Sequence, residues 1–263
     1  LIDSLGLSFR RRAAVDRPWR RWLWRAEAAR LERWEREMVR RATVSWVVSE
    51  RDRDHLVAGR PALAHSTLRV LPPGVEPGDP PAEGPAADSA PLLAVTGNLG
   101  YFATAEGLRW WLEEVWPLAR ARHQGLRLLL AGARPPAWLL RRRHPAVTVA
   151  RDPADLRPLL AAATVAVVPA RAGAGVPMKI LEAWAAGVPV IAHPWSAAGA
   201  GAVPGEDLLT AETPPEWLAA LARLLGSPAE RRRLAAGGRE HLRAAYAPAE
   251  LAARLRDTVR ALA

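Results

Sequence analysis

The chain has 263 residues, of which 50% are hydrophobic, and this is enough for one large folded domain or for one domain with part of a second. It has no cysteine, which excludes disulfides, thiolate metal sites and cysteine nucleophiles, and no apolar run reaches the roughly 18 residues of a membrane-spanning helix. The formal net charge of +10 does not indicate nucleic-acid binding, because much of the excess lies in residues 10–41, with 12 arginines against 5 acidic residues.

The first part of the chain is predicted to be mainly helical. Apolar residues at helical spacing predict one long amphipathic helix over residues 18–42, with Pro18 in its first turn. The apolar face of this helix is predicted to contain Trp19, Leu23, Ala26, Leu31, Trp34 and Met38. Strands are predicted at residues 43–48 and 68–71, and the capping pair Ser49 and Asp52 begins a helix between them.

After a proline-rich linker at residues 72–91, short apolar strands alternate with helices. This alternation predicts an α/β fold, a Rossmann-like parallel sheet with helices on both faces, which binds ligands at the carboxyl ends of its strands. The strands are predicted at residues 92–96, 126–131, 146–150, 164–168 and 188–192. The helices are predicted near residues 104–122, 136–143, 154–163 and 178–187, with three more beginning near Pro214, Pro228 and Pro248.

Two glycine turns follow the first two of these strands. Gly97 and Asn98 stand between a strand and a helix, where glycine lets backbone N–H groups approach a phosphate. A tight turn without a ligand is an equally good interpretation of this sequence. Arg134 follows the second turn, and we expect it to face the same cleft.

A stronger candidate combines a glycine loop with the only lysine of the chain. The loop from Gly173 leads into a helix predicted over residues 176–186, and Lys179 lies in its first turn. Lys179 and Glu182 are spaced as a surface ion pair would be. We favour another hypothesis, in which a diphosphate lies at the helix N-terminus beside Lys179 and Glu182 accepts hydrogen bonds from ribose hydroxyls.

The order and spacing of these motifs resemble the donor-binding half of the group 1 (family 4-like) glycosyltransferases of the GT-B fold. The motifs are Gly97-Asn98, Ala131-Gly132-Ala133-Arg134, Gly173-Ala174-Gly175, Lys179-Ile180-Leu181-Glu182-Ala183 and Pro204-Gly205-Glu206-Asp207. Within the family, the chain is most similar to sugar transferases of exopolysaccharide biosynthesis. The resemblance implies a nucleoside-diphosphate-sugar donor, no metal and no other cofactor, and retaining transfer to a glycan or lipid-linked acceptor.

The resemblance also implies which residues bind the donor. Glu182 matches the glutamate that contacts the ribose, and the segment ending at Asp155 is expected to line the nucleobase pocket. The full set of implied donor-binding residues is Gly97, Asn98, Arg134, Asp155, Gly173, Ala174, Gly175, Val176, Lys179, Ile180, Leu181 and Glu182. Ala174 stands where many members have a sugar-contacting glutamate, and Pro177 stands where the similar branch often has a basic residue.

The resemblance divides the chain into parts. Residues 1–71 are expected to be the end of an acceptor domain, residues 92–246 the donor domain, and residues 247–263 a helix packing back toward the first part. The family's catalytic histidine would lie in the acceptor part that the chain lacks, so we expect the chain alone to be inactive. The histidines present match no catalytic position and are expected on the surface or in loops: His55, His65, His123, His144, His193 and His241.

Other hypotheses remain open. Tryptophans beside arginines in residues 18–42 suit an anionic lipid surface or a protein partner, so the chain is alternatively a binding or docking module without catalysis. A half-buried helix of the acceptor domain is an equally good interpretation of the same residues. A nucleotide-sugar epimerase of the same fold is a further alternative. Asp52-Arg53-Asp54 is like a metal-binding triplet, but acids are expected in a first helical turn and we expect no metal there. We expect a cytoplasmic protein, peripheral at the inner face of the plasma membrane.

Overall fold

The computed structural model describes residues 3–59, 63, 68–78, 89–142 and 144–260. The helices are α1 (Leu5–Val15), α2 (Arg21–Arg41), α3 (Glu50–Val57), α4 (Phe102–Glu114), α5 (Trp116–Arg122), α6 (Ala137–Leu140), α7 (Arg157–Ala161), α8 (Met178–Ala185), α9 (Pro194–Gly199), α10 (Pro214–Gly226), α11 (Pro228–Tyr246) and α12 (Pro248–Arg260). The strands are β1 (Ser45–Val47), β2 (Leu68–Val70), β3 (Leu92–Asn98), β4 (Arg127–Ala133), β5 (Val147–Arg151), β6 (Val165–Val168), β7 (Val190–Ala192) and β8 (Leu209–Thr210).

The chain forms two compact units. The first unit contains Leu1–Gly74, Ala172–Pro177 and Tyr246–Ala263, and the second contains Val75–Arg171 and Met178–Ala245. The functional division into an acceptor remnant and a donor domain stays a prediction. The linker predicted at residues 72–91 has no helix or strand in residues 72–78 and 89–91, and residues 79–88 lie outside the described residues.

The first unit pairs β1 with β2 in parallel and packs helices around them. Its apolar core lies between α2, α3 and the two strands, and consists of Val39, Val47, Leu56, Leu63 and Leu68. The helix predicted over residues 18–42 is divided into a 3-10 turn at Pro18–Arg20 and α2.

The apolar face predicted for residues 18–42 is largely wrong, although Leu31 is buried as predicted. Trp19, Leu23 and Trp34 are exposed, and the buried face of α2 consists of Ala28, Leu31, Glu32, Glu35 and Val39. The two glutamates can be buried because they have partners. Arg10 donates to Glu32, and the N-terminus of α1 donates to Glu35. A Cβ at Gly6 would overlap the side chain of Glu32, so glycine is needed where α1 meets α2.

The second unit contains a parallel sheet of order β5-β4-β3-β6-β7-β8, flanked by helices, which confirms the predicted α/β fold. Trp111 and Trp217 are fully buried in its core, with ring centroids 6.1 Å apart. Strands β3 and β4 each run two residues beyond the predicted ends, and α9 and β8 were not predicted.

The single helix predicted near residues 104–122 is two helices. It breaks at Val115, and α5 begins at Trp116 with Pro117 in its first turn. Proline has no N–H to donate, and its ring would clash with the carbonyl of the preceding helical turn. In the described part of the chain, no helix is both long enough and apolar enough to cross a bilayer.

Candidate functional site

The glycine turns of the second unit lie at the carboxyl edge of the sheet. Gly97 near the end of β3 is paired in register with Gly132 near the end of β4. Both have positive φ angles, +107° and +153°, and a Cβ at Gly132 would overlap the carbonyl oxygen of Gly97. Glycine is therefore favoured at both positions, which lie at the edge of the sheet where open α/β folds bind ligands.

Asn98 ends β3 and shapes the turn into α4. Its Oδ1 accepts hydrogen bonds from the N–H groups of Gly100, at 3.1 Å, and Tyr101, at 3.0 Å. The side chain is exposed, and its NH₂ group donates to none of the described residues. Because the Asn98 oxygen accepts these two backbone hydrogen bonds, the NH₂ group is the part of the side chain left for a ligand. The sequence did not show this role of the oxygen.

Lys179 lies near the end of β3. It is the second residue of α8, which begins at Met178 and not at Val176 as predicted. Its Nζ donates to Thr104 Oγ1 in the first turn of α4, at 2.6 Å, and a Cβ at Gly97 would lie 3.7 Å from Lys179 Cε. Burial lowers the pKa of Lys179 to about 8, although the negative charge of Glu182 opposes the shift.

Glu182 lies one helical turn beyond Lys179 and is half-buried. Burial raises the pKa of its carboxyl, and the positive charge of Lys179 lowers it in part. Its carboxylate accepts no hydrogen bond from the described residues. Ile180 and Leu181, between the two charged residues, are fully buried, so their side chains hold α8 against the core and offer a ligand no polar group.

Arg134 and Asp155 follow β4 and β5, and both are exposed. Arg134 has a left-handed backbone, φ +53°, held by a hydrogen bond from its N–H to Asp152 Oδ1 at 3.1 Å. Asp155 accepts from the N–H of Arg157 at 2.9 Å and from its guanidinium, and these bonds lower the pKa of Asp155. The predicted contacts of both residues with a donor stay predictions.

The glycine loop at residues 172–177 belongs to the first unit, where Asp52 holds it. The N–H of Gly175 donates to the Asp52 carboxylate at 3.1 Å, and Arg51 donates to the Gly175 carbonyl at 3.2 Å. Gly175 has φ +71°, which favours glycine. The Gly175 N–H therefore already has a hydrogen-bond acceptor and is not left for the diphosphate that was predicted beside this loop. The predicted roles of Gly173, Ala174 and Val176 stay predictions.

Asp52 itself is fully buried in a polar network. Its carboxylate accepts from Ser49 Oγ at 2.5 Å and from the Ser4 N–H at 3.4 Å, and the Asp52 N–H donates to Ser49 Oγ, the predicted cap. Asp54, by contrast, is exposed and pairs with Arg53. Among the described residues there is no cluster of histidine and carboxylate groups that could hold a metal ion.

Residues 90–227, more than half of the chain, match the family model described as glycosyl transferases group 1. The chain belongs to this family. No curated protein sequence matches it.

Solved structures of GT-B glycosyltransferases share the fold of this chain. Sucrose-phosphate synthase from Thermosynechococcus elongatus is 22% identical with a TM-score of 0.72, over 89% of this chain and 62% of the synthase. HepE from Anabaena, in complex with UDP and glucose, is 14% identical with a TM-score of 0.72, and the match covers 88% of this chain and 66% of HepE. TarM from S. aureus, in complex with Fondaparinux, alpha-GlcNAc-glycerol and UDP, is 10% identical with a TM-score of 0.69. The match covers 87% of this chain and 46% of TarM. The chain thus spans less than two thirds of the length of these proteins.

The sequence analysis missed two groups at the same sheet edge of the second unit. Thr104, which receives the Lys179 hydrogen bond, could have been found from its place in the first turn of a helix after a glycine turn. Arg171, shortly after β6, pairs with Glu106 on α4, and its guanidinium lies 4.8 Å from the centre of the Trp110 ring. No sequence signal distinguishes Arg171 among so many arginines.

The expectation that the histidines are on the surface or in loops is wrong for His55 and His241, which are partly buried in helices, whereas His193 lies in a loop as expected but is buried. His193 follows β7 directly, is buried, and accepts at Nδ1 from the Trp195 N–H at 3.1 Å. His241 on α11 is paired with Asp207 at 2.9 Å, and His55 on α3 lies 3.2 Å from Glu32. Burial lowers the pKa of His55. His65 lies outside the described residues.

Proposed function

We propose that this chain supplies the donor-binding part of a retaining, metal-independent glycosyltransferase. The donor is a nucleoside-diphosphate-sugar, and the acceptor is a glycan or a lipid-linked sugar of cell-surface polysaccharide synthesis. The observation that carries the proposal is the position of Lys179, bonded to Thr104 and close to Gly97. One turn along α8, the carboxylate of Glu182 accepts no hydrogen bond from the described residues.

Lys179 has the charge and the place to stabilise the leaving group. When the bond between the sugar and the diphosphate breaks, negative charge develops on the diphosphate. Lys179 and the N–H groups at the start of α8 would meet that charge together. Because the pKa of free Lys179 is about 8, the residue is mostly protonated at neutral pH, and a bound diphosphate would raise that pKa further.

Glu182 suits a sugar with neighbouring hydroxyl groups. A carboxylate that accepts no bond from the described protein groups can accept from two ribose hydroxyls at once. The half-buried position makes those bonds stronger than they would be in water. The resemblance assigns the same role to this residue, and the geometry of α8 supports it independently of the resemblance.

Solved structures suggest which donors to try first. HepE was solved with UDP and with UDP-glucose, and TarM with UDP. Uridine diphosphate and its sugars are therefore the first candidates for this chain, and guanosine diphosphate sugars are the second. We propose a cytoplasmic location, in keeping with the cysteine-free sequence, and we propose that the chain binds a donor without turning it over when the acceptor part is absent.

Isothermal titration calorimetry with UDP, GDP, UDP-glucose and GDP-mannose tests this proposal. We expect one base to bind, and Glu182→Ala to weaken that binding at least tenfold, since hydrogen bonds to a charged group are lost. Glu114→Ala, which removes an exposed carboxylate at the end of α4, is the matched control and should leave binding unchanged. Absence of heat and of thermal stabilisation with all four ligands would contradict the proposal.

A further inference from the structure

A second surface of the molecule has no role in donor binding. It lies in the 3-10 turn and the first turn of α2, and we call it the Trp–Arg tip. The side chains that form the tip are Arg17, Trp19, Arg20, Trp22, Leu23 and Arg25. Trp22 is 70% exposed, Trp19 61% and Leu23 44%, so three large apolar side chains protrude within five residues. Soluble proteins rarely expose several large apolar side chains next to each other unless the patch binds a partner.

The orientation of the protruding side chains is fixed by the contacts of their neighbour Trp24, which is partly buried. The indole N–H of Trp24 donates to Asp16 Oδ2 at 2.6 Å, and the Arg12 guanidinium lies 3.8 Å from the centre of its ring. The Phe9 ring is 5.7 Å from the Trp24 ring. These contacts fix the rotation of the first turn of α2, and Trp22 and Leu23 are therefore presented to solvent by a rigid element.

The positive charge of the tip exceeds its negative charge, because the neighbouring Asp16 is the one carboxylate of the described residues that acts on it, through Arg20. Residues 17–26 contain four arginines and no acid. Arg17, Arg20, Arg21 and Arg25 form no ion pair with any residue that the structure describes. Further along the same helix most arginines have carboxylate partners, as Arg30 pairs with Glu27 and Arg41 with Glu37. The positive charge is thus concentrated where the apolar groups protrude.

We propose that the Trp–Arg tip docks onto an anionic lipid bilayer. Indoles prefer the boundary between headgroups and acyl chains, and guanidinium groups bind lipid phosphates through paired hydrogen bonds. Arg20 lies over the Trp19 ring, 4.6 Å from its centre, so a cation and an indole are already arranged side by side. The attachment is peripheral and, resting on the proposed function for this point, it would place the chain beside an acceptor of the lipid-linked kind.

Sedimentation with vesicles tests the proposal on the whole chain. We expect binding to vesicles of phosphatidylglycerol and phosphatidylcholine, little binding to phosphatidylcholine alone, and weaker binding as salt is raised. The double variant Arg20→Gln, Arg25→Gln should lose about fivefold in partitioning for each arginine, about 25-fold in all. Trp22→Ala with Leu23→Ala should lose at least tenfold, because two interfacial groups are removed.

The second unit offers a matched control. Leu140 is 43% exposed, nearly the same as Leu23, and it is followed by the exposed Arg141. Leu140→Ala with Arg141→Gln removes one apolar group and one charge outside the tip, and vesicle binding should remain within twofold of the parent. Circular dichroism of each variant checks that it folds. The proposal fails if the parent chain does not sediment with the anionic vesicles, which would leave the tip to a protein partner, or if the control weakens binding as much as the tip variants do.

Discussion

The buried carboxylates of the first unit differ from the carboxylate of the candidate site in the second unit. Glu35 and Asp52 in the first unit are fully buried, and each accepts hydrogen bonds from several groups of the chain. Glu182 in the second unit is half-buried and accepts none from the described residues. A carboxylate with all its bonds made stabilises the fold, whereas one left without bonds has free energy to gain from a ligand. The contrast separates structural acids from the acid of the candidate site.

Glu35→Ala should produce the largest loss of stability. The Glu35 carboxylate accepts from the N–H of Leu5 at 2.5 Å and from Ser4 Oγ at 3.1 Å, at the N-terminus of α1. Its removal leaves buried donors without an acceptor, and we expect the free energy of unfolding to fall by about 3 kcal/mol. Urea denaturation measures this. Glu27→Ala, at an exposed pair with Arg30, should leave the free energy of unfolding nearly unchanged.

Urea denaturation of Glu182→Ala tests the carboxylate of the candidate site in the same way. Because no hydrogen bond is lost, we expect its stability to equal or slightly exceed that of the parent while nucleotide binding is lost. If Glu182→Ala destabilised the chain as much as Glu35→Ala, the distinction between structural and ligand-binding acids would be wrong.

Asp52→Asn should have a smaller effect, confined to one region. The amide keeps one acceptor oxygen but brings an NH₂ group beside the N–H of Gly175 or the hydroxyl of Ser49, so we expect a loss of about 1–2 kcal/mol. Amide hydrogen exchange of Gly175 should become faster. Asp54→Asn is the control, since Asp54 is exposed, and it should leave both stability and exchange unchanged. Equal behaviour of the two variants would argue against Asp52 as the anchor of the loop.

The comparison also explains what the sequence could predict. Apolar strands alternating with helices are visible in the sequence because burial is periodic, and the parallel sheet followed from them. The buried face of α2 was not visible, because it contains Glu32 and Glu35, whose partners Arg10 and Leu5 lie more than 20 residues away. Lys179 and Glu182 could be singled out because one is the only lysine and both follow a glycine loop.

The pH dependence of nucleotide binding is the smallest predicted effect, and it tests the cation of the candidate site. The pKa of Lys179 is about 8 in the free chain, and a bound diphosphate would raise it. Above pH 8 the free chain loses the proton that the complex retains, so diphosphate affinity should fall as pH rises through this range. Calorimetry at several pH values measures the fall, which we expect to be about tenfold at most.

Two variants isolate Lys179 from any titration of the ligand. Lys179→Arg keeps its charge above pH 8, so its affinity should stay level where that of the parent falls. Lys179→Met has no charge to lose and should bind weakly at every pH. If Lys179→Met retained the pH dependence of the parent, the group that titrates would not be Lys179. Glu182 would then bind the ligand without a cation beside it.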